Sequence, residues 1–121
     1  MQKRVELLAP AGNMEKLKTA IHFGADACFV GGSSFNLRGM SSNFKNKELK
    51  EAIDYVHSLG KKIYVTLNIF AHNTEIDYLP RFIKMLAEYG ADAAIVADLG
   101  VFQLVRGHAP NLPIHVSTQA N

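Results

Sequence analysis

Phe23-Gly24-Ala25-Asp26-Ala27 recurs later in the chain as Tyr89-Gly90-Ala91-Asp92-Ala93. In both copies an amphipathic stretch stops at the glycine, and an apolar run containing a valine follows. The glycine suits the left-handed residue that ends many helices, and the apolar run suits a buried strand. The two copies are separated by about two units of roughly 33 residues, the period of successive strand–helix modules. The repeat therefore predicts a parallel α/β fold.

Outside the repeat, the same alternation of apolar runs and amphipathic stretches predicts five strands and four helices. The strands are predicted at residues 5–9, 27–30, 63–67, 93–97 and 114–117. Predicted helix caps are Asn13, Asn46, Asp77 and Asp98, and Pro80 is expected in the first turn of the third helix. Strict alternation implies parallel strands joined by right-handed crossovers, and the near-continuous apolar strands favour a sheet covered on both faces.

Composition limits the class of protein. The chain has 121 residues, of which 48% are hydrophobic, and a formal charge of +2. These values are ordinary for one folded domain, and scattered Lys and Arg residues do not indicate nucleic-acid binding. Cys28 is the only cysteine, which excludes an internal disulfide and fits a reducing, cytoplasmic setting. The apolar stretch before Pro10 is too short for an export signal or a membrane span, so no membrane association is expected.

Several motifs together resemble one known family. They are Glu6–Asn13, Gly24–Ala27, Val30-Gly31-Gly32 with Phe35–Arg38, Val65–Asn68, and Pro113–Asn121. In order and spacing they resemble the amino-terminal region of the thirty-second peptidase family of unknown catalytic type, the collagenase-like peptidases. The resemblance implies a TIM-like (β/α) barrel larger than this chain. Residues 1–121 would then be a single domain, the amino-terminal part of that barrel, with about five parallel strands and four helices.

The resemblance also implies three functional interpretations. The main one is a peptidase, to which this segment supplies substrate-binding loops while being inactive by itself. The alternative is part of an enzyme that hydroxylates RNA or a small molecule, since some family members do so and carry an iron–sulfur cluster on four downstream cysteines. A non-catalytic assembly module is the third. Because Cys28 matches none of those cysteines, no cofactor is expected in this segment.

The loops that follow the strands predict a substrate-binding site, because parallel barrels build their sites at the carboxyl ends of the strands. Gly31 and Gly32 would let the backbone approach a ligand closely, and Arg38 could grip a carboxylate or a phosphate. The plainer alternative is a flexible turn with a solvent-facing arginine. The predicted binding residues are Gly12, Asn13, Gly31, Gly32, Arg38, Asn68, Ser117, Thr118, Gln119 and Asn121.

Three residues are candidates for a catalytic role. Glu6 interrupts an apolar strand, which suits a general base or, preferably, a structural anchor paired with a Lys or Arg. His72 follows a strand, but a loop histidine without a second ligand is more often exposed than metal-bound, so no metal site is predicted. Asp98, like Asn13, is more often a plain helix cap. No nucleophile elbow or HExxH helix is present, so peptide hydrolysis rests on the family alone.

The partial barrel predicts self-association. Five strands cannot close an eight-stranded ring, so the first and fifth strands would be left as sheet edges. We therefore expect a homo-oligomer formed through these edges. A peptide or RNA substrate is expected only for a larger parent protein.

Overall fold

A computed structural model of the chain describes residues 6–31, 47–67 and 79–117. These residues form one sheet of five parallel strands in chain order, β1 to β5. The strands are β1 Leu8–Pro10, β2 Ala27–Val30, β3 Lys62–Thr66, β4 Ala93–Val96 and β5 Ile114–Val116. The described helices are α1 Met14–His22, α2 Lys47–Ser58, α3 Leu79–Tyr89 and α4 Leu99–His108. The predicted fold class, five parallel strands alternating with four helices, is confirmed.

Side chains alternate between the two faces of the sheet, as extended backbone requires. One face packs against the helices. Cys28, Ile63 and Val65 on this face are fully buried against helix residues such as Leu17 and Leu86. The opposite face, called the inner face here, carries a smaller buried group of Ala27, Tyr64 and Ala93, flanked by Phe29 and Ile95.

The first strand differs from its prediction. It was expected to be buried over residues 5–9, but β1 begins at Leu8, includes Pro10, and is largely exposed. The reason is its place at the edge of the sheet that the described residues form, in which β2 is its one neighbour. Pro10 is tolerated there, because a strand at an edge needs backbone donors on one side only. Leu7 and Leu8 consequently expose 54% and 42% of their surface.

The helix ends follow the predicted pattern wherever they are described. Asn13 caps α1, since its side-chain oxygen accepts a hydrogen bond from the Lys16 N–H at 2.8 Å. The repeated glycines, Gly24 and Gly90, have φ of 105° and 87°, which an L-residue adopts only with strain. Pro80 is the second residue of α3, within its first turn as expected. Asn46 and Asp77 lie outside the described residues. No described helix has the length and apolar character that crossing a bilayer demands.

The repeated aspartates join neighbouring strands. The Asp26 carboxylate accepts a hydrogen bond from the Leu7 N–H at 2.9 Å, and the Asp92 carboxylate accepts one from the Ile63 N–H at 2.8 Å. Each aspartate thus precedes one strand and binds the backbone at the start of the preceding strand in the sheet. Asp92 also lies 2.7 Å from Nε2 of His57 on α2. The repeat therefore encodes a strand-to-strand contact in addition to a helix end.

Candidate functional site

The described part of the predicted binding site lies along one edge of the sheet. Gly12 and Asn13 follow β1, Gly31 follows β2, Asp98 follows β4, and Ser117 follows β5. We call these five residues the carboxyl rim. Because all strands run parallel, the rim residues stand at the same end of the sheet, as expected of residues that follow the strands of a parallel barrel.

At the rim, the backbone of Gly31 lies close to the side chain of Thr66. A Cβ atom at this position would lie 3.2 Å from Oγ1 of Thr66, at the end of β3. The Thr66 hydroxyl donates a hydrogen bond to the Val30 carbonyl at 3.2 Å, which holds it beside Gly31. A larger residue at position 31 would push against this hydroxyl. The absence of a side chain at Gly31 therefore leaves room for the Thr66 hydroxyl between the ends of β2 and β3.

Asn13 and Asp98 both use their side-chain oxygens as helix caps. Asn13 caps α1, and Asp98 accepts hydrogen bonds from the Gly100 and Val101 N–H groups at the start of α4. Capping oxygens satisfy donors that the first helical turn leaves free. The cap interpretation of both residues is confirmed.

An apolar pocket of about 300 Å³ lies beside Asp98, between the ends of β4 and β5 and the start of α4. Its lining includes Val96, Phe102 and Val116. Ser117 follows β5 beside this pocket, and its N–H donates to the Val96 carbonyl at 2.7 Å. The pocket offers almost only hydrocarbon surface, so it adds volume and no polar chemistry to the rim.

Seven predicted site residues fall outside the described residues. They are Gly32, Arg38, Asn68, His72, Thr118, Gln119 and Asn121. Their proposed roles in binding, and the proposed catalytic role of His72, stay predictions.

Glu6 lies at the other end of the sheet from the rim. It precedes β1, and both of its carboxylate oxygens accept a hydrogen bond from the Tyr64 hydroxyl at 3.1 Å. The contact favours the structural anchor, although the partner found among the described residues is a tyrosine hydroxyl, where a lysine or an arginine was expected. In parallel barrels this amino-terminal end serves stability, while catalysis takes place at the opposite end. A catalytic role for Glu6 therefore has no support in its position.

Tyr64 and His115 are inner-face residues that the sequence analysis did not single out. Burial raises the pKa of Tyr64 to about 12, together with the hydrogen bond and the negative charge of Glu6 and, to a smaller extent, the negative charge of Asp92. The His115 ring packs edge-on against the Tyr64 ring, with 4.9 Å between the centroids. The available signal was the alternation in β3 and β5, which puts Tyr64 and His115 opposite the apolar residues facing the helices.

The described residues do not provide a metal or cluster site. Among residues 6–31, 47–67 and 79–117, no group of three or more His, Cys, Asp or Glu side chains could hold a metal ion. Cys28 is fully buried, and burial raises the pKa of its thiol, which disfavours the thiolate that binds iron. The chain's one cysteine therefore does not fit an iron–sulfur cluster.

Sequence comparison identifies relatives along nearly the whole chain. A family model described as Peptidase family U32 matches residues 12–121. A tRNA hydroxylation protein P1 of Bacillus subtilis is 48% identical over 117 residues, covering 97% of this chain and 28% of the relative. A 23S rRNA 5-hydroxycytidine synthase of Escherichia coli is 39% identical over 118 residues, covering 98% of this chain and 18% of the relative. The chain thus spans less than a third of either relative.

Structural comparison supports the barrel. A Bacillus subtilis HMG-CoA lyase has a TM-score of 0.71 at 17% identity, covering 96% of this chain and 46% of that one. A U32 peptidase has a TM-score of 0.68 at 16% identity, covering 99% of this chain and 51% of that one. At these identities the likeness concerns the fold alone, and it is the fold of a TIM-like barrel.

The comparisons correct the main functional interpretation drawn from the sequence. A peptidase was expected, but the relatives of high identity are named for hydroxylation of RNA. The physical reason for the error is that the peptidase interpretation rested on a family label, while no activated nucleophile was visible in the residues. A shared fold and family name do not determine the reaction.

Proposed function

The chain belongs to peptidase family U32, and we propose that, within this family, it is the amino-terminal part of an enzyme that hydroxylates RNA, with tRNA as its substrate. One observation carries the proposal, the 48% identity to a tRNA hydroxylation protein over 97% of the chain. Because the substrate would be tRNA, we also propose a cytoplasmic location. The activity belongs to the parent protein, since the chain matches only 28% of that relative's length.

The contribution of this segment would be binding at the carboxyl rim. Gly31 carries no side chain, so an RNA sugar or phosphate would meet its backbone there, and the caps Asn13 and Asp98 keep the starts of α1 and α4 in place at the same rim. If the parent enzyme holds an iron–sulfur cluster, that cluster would supply electron transfer. Its ligands would be residues other than those described here. The described residues would bind and orient RNA.

A chimera tests the proposal with this chain itself. The matching amino-terminal residues of the Bacillus subtilis protein are replaced by this chain, and the hybrid is expressed in cells that lack tRNA hydroxylation. We expect hydroxylated nucleosides to return in the tRNA, measured by mass spectrometry of digested tRNA. A second chimera differs only by Gly31→Val. It should lower the hydroxylated fraction about tenfold or more relative to the first, because the new side chain presses on Thr66 at the rim.

A soluble chimera that accumulates to the level of the native protein and restores no hydroxylation would contradict the proposal. If the Gly31→Val chimera hydroxylates tRNA as well as the chimera that keeps Gly31, the rim is not part of the binding site. The proposed RNA hydroxylation would still stand. Both hybrids need the same thermal stability for the comparison to count.

A further inference from the structure

The inner face carries a group of polar aromatic contacts that the rim does not explain. The group consists of Glu6, Tyr64 and His115, called the inner-face cluster here. The Tyr64 hydroxyl donates to the Glu6 carboxylate, with both oxygens at 3.1 Å. The Tyr64 and His115 rings meet with centroids 4.9 Å apart and planes inclined by 65°. The three residues come from the segment before β1, from β3 and from β5, so the contacts cross the sheet.

His115 is the exposed aromatic member of the cluster. It lies in the middle of β5, in register with Ile95 of β4, and only Val116 separates it from Ser117 of the rim. Within the described ranges neither nitrogen of its imidazole has a hydrogen-bond partner. Such a ring offers a donor, an acceptor and an aromatic face to a ligand.

Tyr64 gives this exposed ring a rigid support. Its side chain is only 5% exposed, and Ala27 and Ala93 are buried on either side of it. A tyrosine hydroxyl keeps its proton at neutral pH, and here burial and Glu6 raise its pKa further, to about 12, so it can donate to the Glu6 carboxylate. A ring that is packed against a neighbour and hydrogen-bonded through its hydroxyl loses little further freedom when a ligand binds beside it.

We propose that His115 contacts the RNA base that the parent enzyme modifies, with Tyr64 and Glu6 as positioning residues. This inference rests on the proposed function. Enzymes that react with a base must take it out of the stack, and they hold it by stacking on aromatic side chains and by hydrogen bonds to its edges. Phe29 and Ile95, both half-buried on the inner face, supply apolar surface beside the cluster.

Nuclear magnetic resonance on the 121-residue chain tests the contact directly. The chain is titrated with cytidine 5′-monophosphate and uridine 5′-monophosphate, and ribose 5-phosphate serves as the control without a base. We expect the His115 imidazole and Tyr64 ring signals to shift with the nucleotides, because a stacked base changes the local ring current. The His22 signal should stay unchanged, although His22 also packs edge-on against an aromatic ring, that of Phe23.

Variants of His115 distinguish stacking of a base on the ring from hydrogen bonds made by the ring nitrogens. His115→Ala should weaken binding of a tRNA transcript to the chain about tenfold, the typical effect of losing one stacked base. His115→Phe keeps a ring and should recover part of that loss. His22→Ala is the matched control and should bind like the wild-type chain. Thermal unfolding of each variant checks that the exposed substitutions leave the fold intact.

Two results would overturn the inference. One is a His115 signal that does not move, or moves equally with ribose 5-phosphate; the other is a His115→Ala chain that binds tRNA like the wild type. If the chimera restores hydroxylation and these tests fail, the inference about His115 alone is wrong. If His115 responds to nucleotides but the chimera restores no hydroxylation, the proposed function is wrong while the base contact stands.

Discussion

Tyr64 forms a contact that the sequence pattern around it did not predict. The apolar stretch around it predicted a buried strand, and β3 confirms that prediction within one residue at each end. The hydrogen bond to Glu6 could not be predicted, because it joins residues 58 positions apart whose approach depends on the register of two strands. A carboxylate in an apolar context signals a partner, but it does not identify that partner.

The raised pKa of Tyr64 predicts a loss of stability in alkali. In the unfolded chain the phenol titrates near 10, and in the folded chain near 12, so the folded state holds the proton more tightly between these values. The contribution is therefore fully present below about pH 10 and is lost as the pH rises towards 12. We expect the free energy of unfolding in urea to fall by about 1 kcal/mol more in the wild type than in Tyr64→Phe between pH 9 and pH 11. Equal losses in both proteins would contradict the assigned pKa.

At the scale of elements, the repeat predicted the helix ends and the strands well. It did not predict the hydrogen bonds that its two aspartates form with neighbouring strands. The glycine caps and the bounds of β2 are as expected, because local backbone preferences determine them. Asp26 and Asp92 had been noted only as members of a repeated junction. Their bonds to Leu7 and Ile63 depend on which strands become neighbours, and the order of strands is a property of the whole sheet.

Removing the Asp92 carboxylate should destabilise the sheet. Asp92→Ala leaves the Ile63 N–H and the His57 imidazole without this acceptor, and an unsatisfied, partly buried donor costs about 1–3 kcal/mol. Asp54→Ala is the control, because the contact of Asp54 within the described residues is an exposed pair with Lys50 on α2, which contributes about 0.5 kcal/mol at most. Urea denaturation compares the two, and similar losses would mean that Asp92 does not hold β3.

Two glycine substitutions should change stability in opposite directions. Gly24→Ala puts a side chain at a φ of 105° and should cost about 1 kcal/mol, even though no atom lies within 4 Å of the new Cβ. Gly107→Ala meets equally open space, within the helical backbone of α4, and should stabilise the chain by about 0.5–1 kcal/mol. Differential scanning calorimetry distinguishes them. A neutral Gly24→Ala would show that the helix end can adopt another conformation.

For the molecule as a whole, fold class was predictable and substrate class was not. Alternating strands and helices determine a parallel sheet, whichever reaction the protein catalyses. The scattered Lys and Arg residues and the net charge of +2 gave no indication of nucleic acid, because non-specific RNA binding depends on a concentration of basic residues. The site was predictable only as a location, the carboxyl ends of the strands, since the chemistry of an enzyme resides in particular side chains.

The isolated 121-residue chain should self-associate. In the sheet of the described residues β1 and β5 are the edges, and Leu7, Leu8 and Val116 expose 54%, 42% and 65% of their surfaces. Exposed parallel edges with apolar side chains recruit further strands, so we expect β5 of one copy to pair with β1 of another. Light scattering after size exclusion at micromolar concentration should give a mass above that of one chain. A monodisperse monomer that binds no hydrophobic dye would contradict the prediction.

Because Cys28 is buried, the rate at which its thiol can be labelled reports how often the folded chain opens transiently. A thiol with no exposed surface, lying between the sheet and the helices, reacts with a disulfide reagent only in molecules whose layers have briefly separated. The ratio of its labelling rate to that of a free thiol then measures the population of open molecules without denaturant. If β2 opens only on global unfolding, the free energy obtained from labelling should equal that from urea, and a smaller value would reveal that the helices detach while the rest of the sheet stays paired.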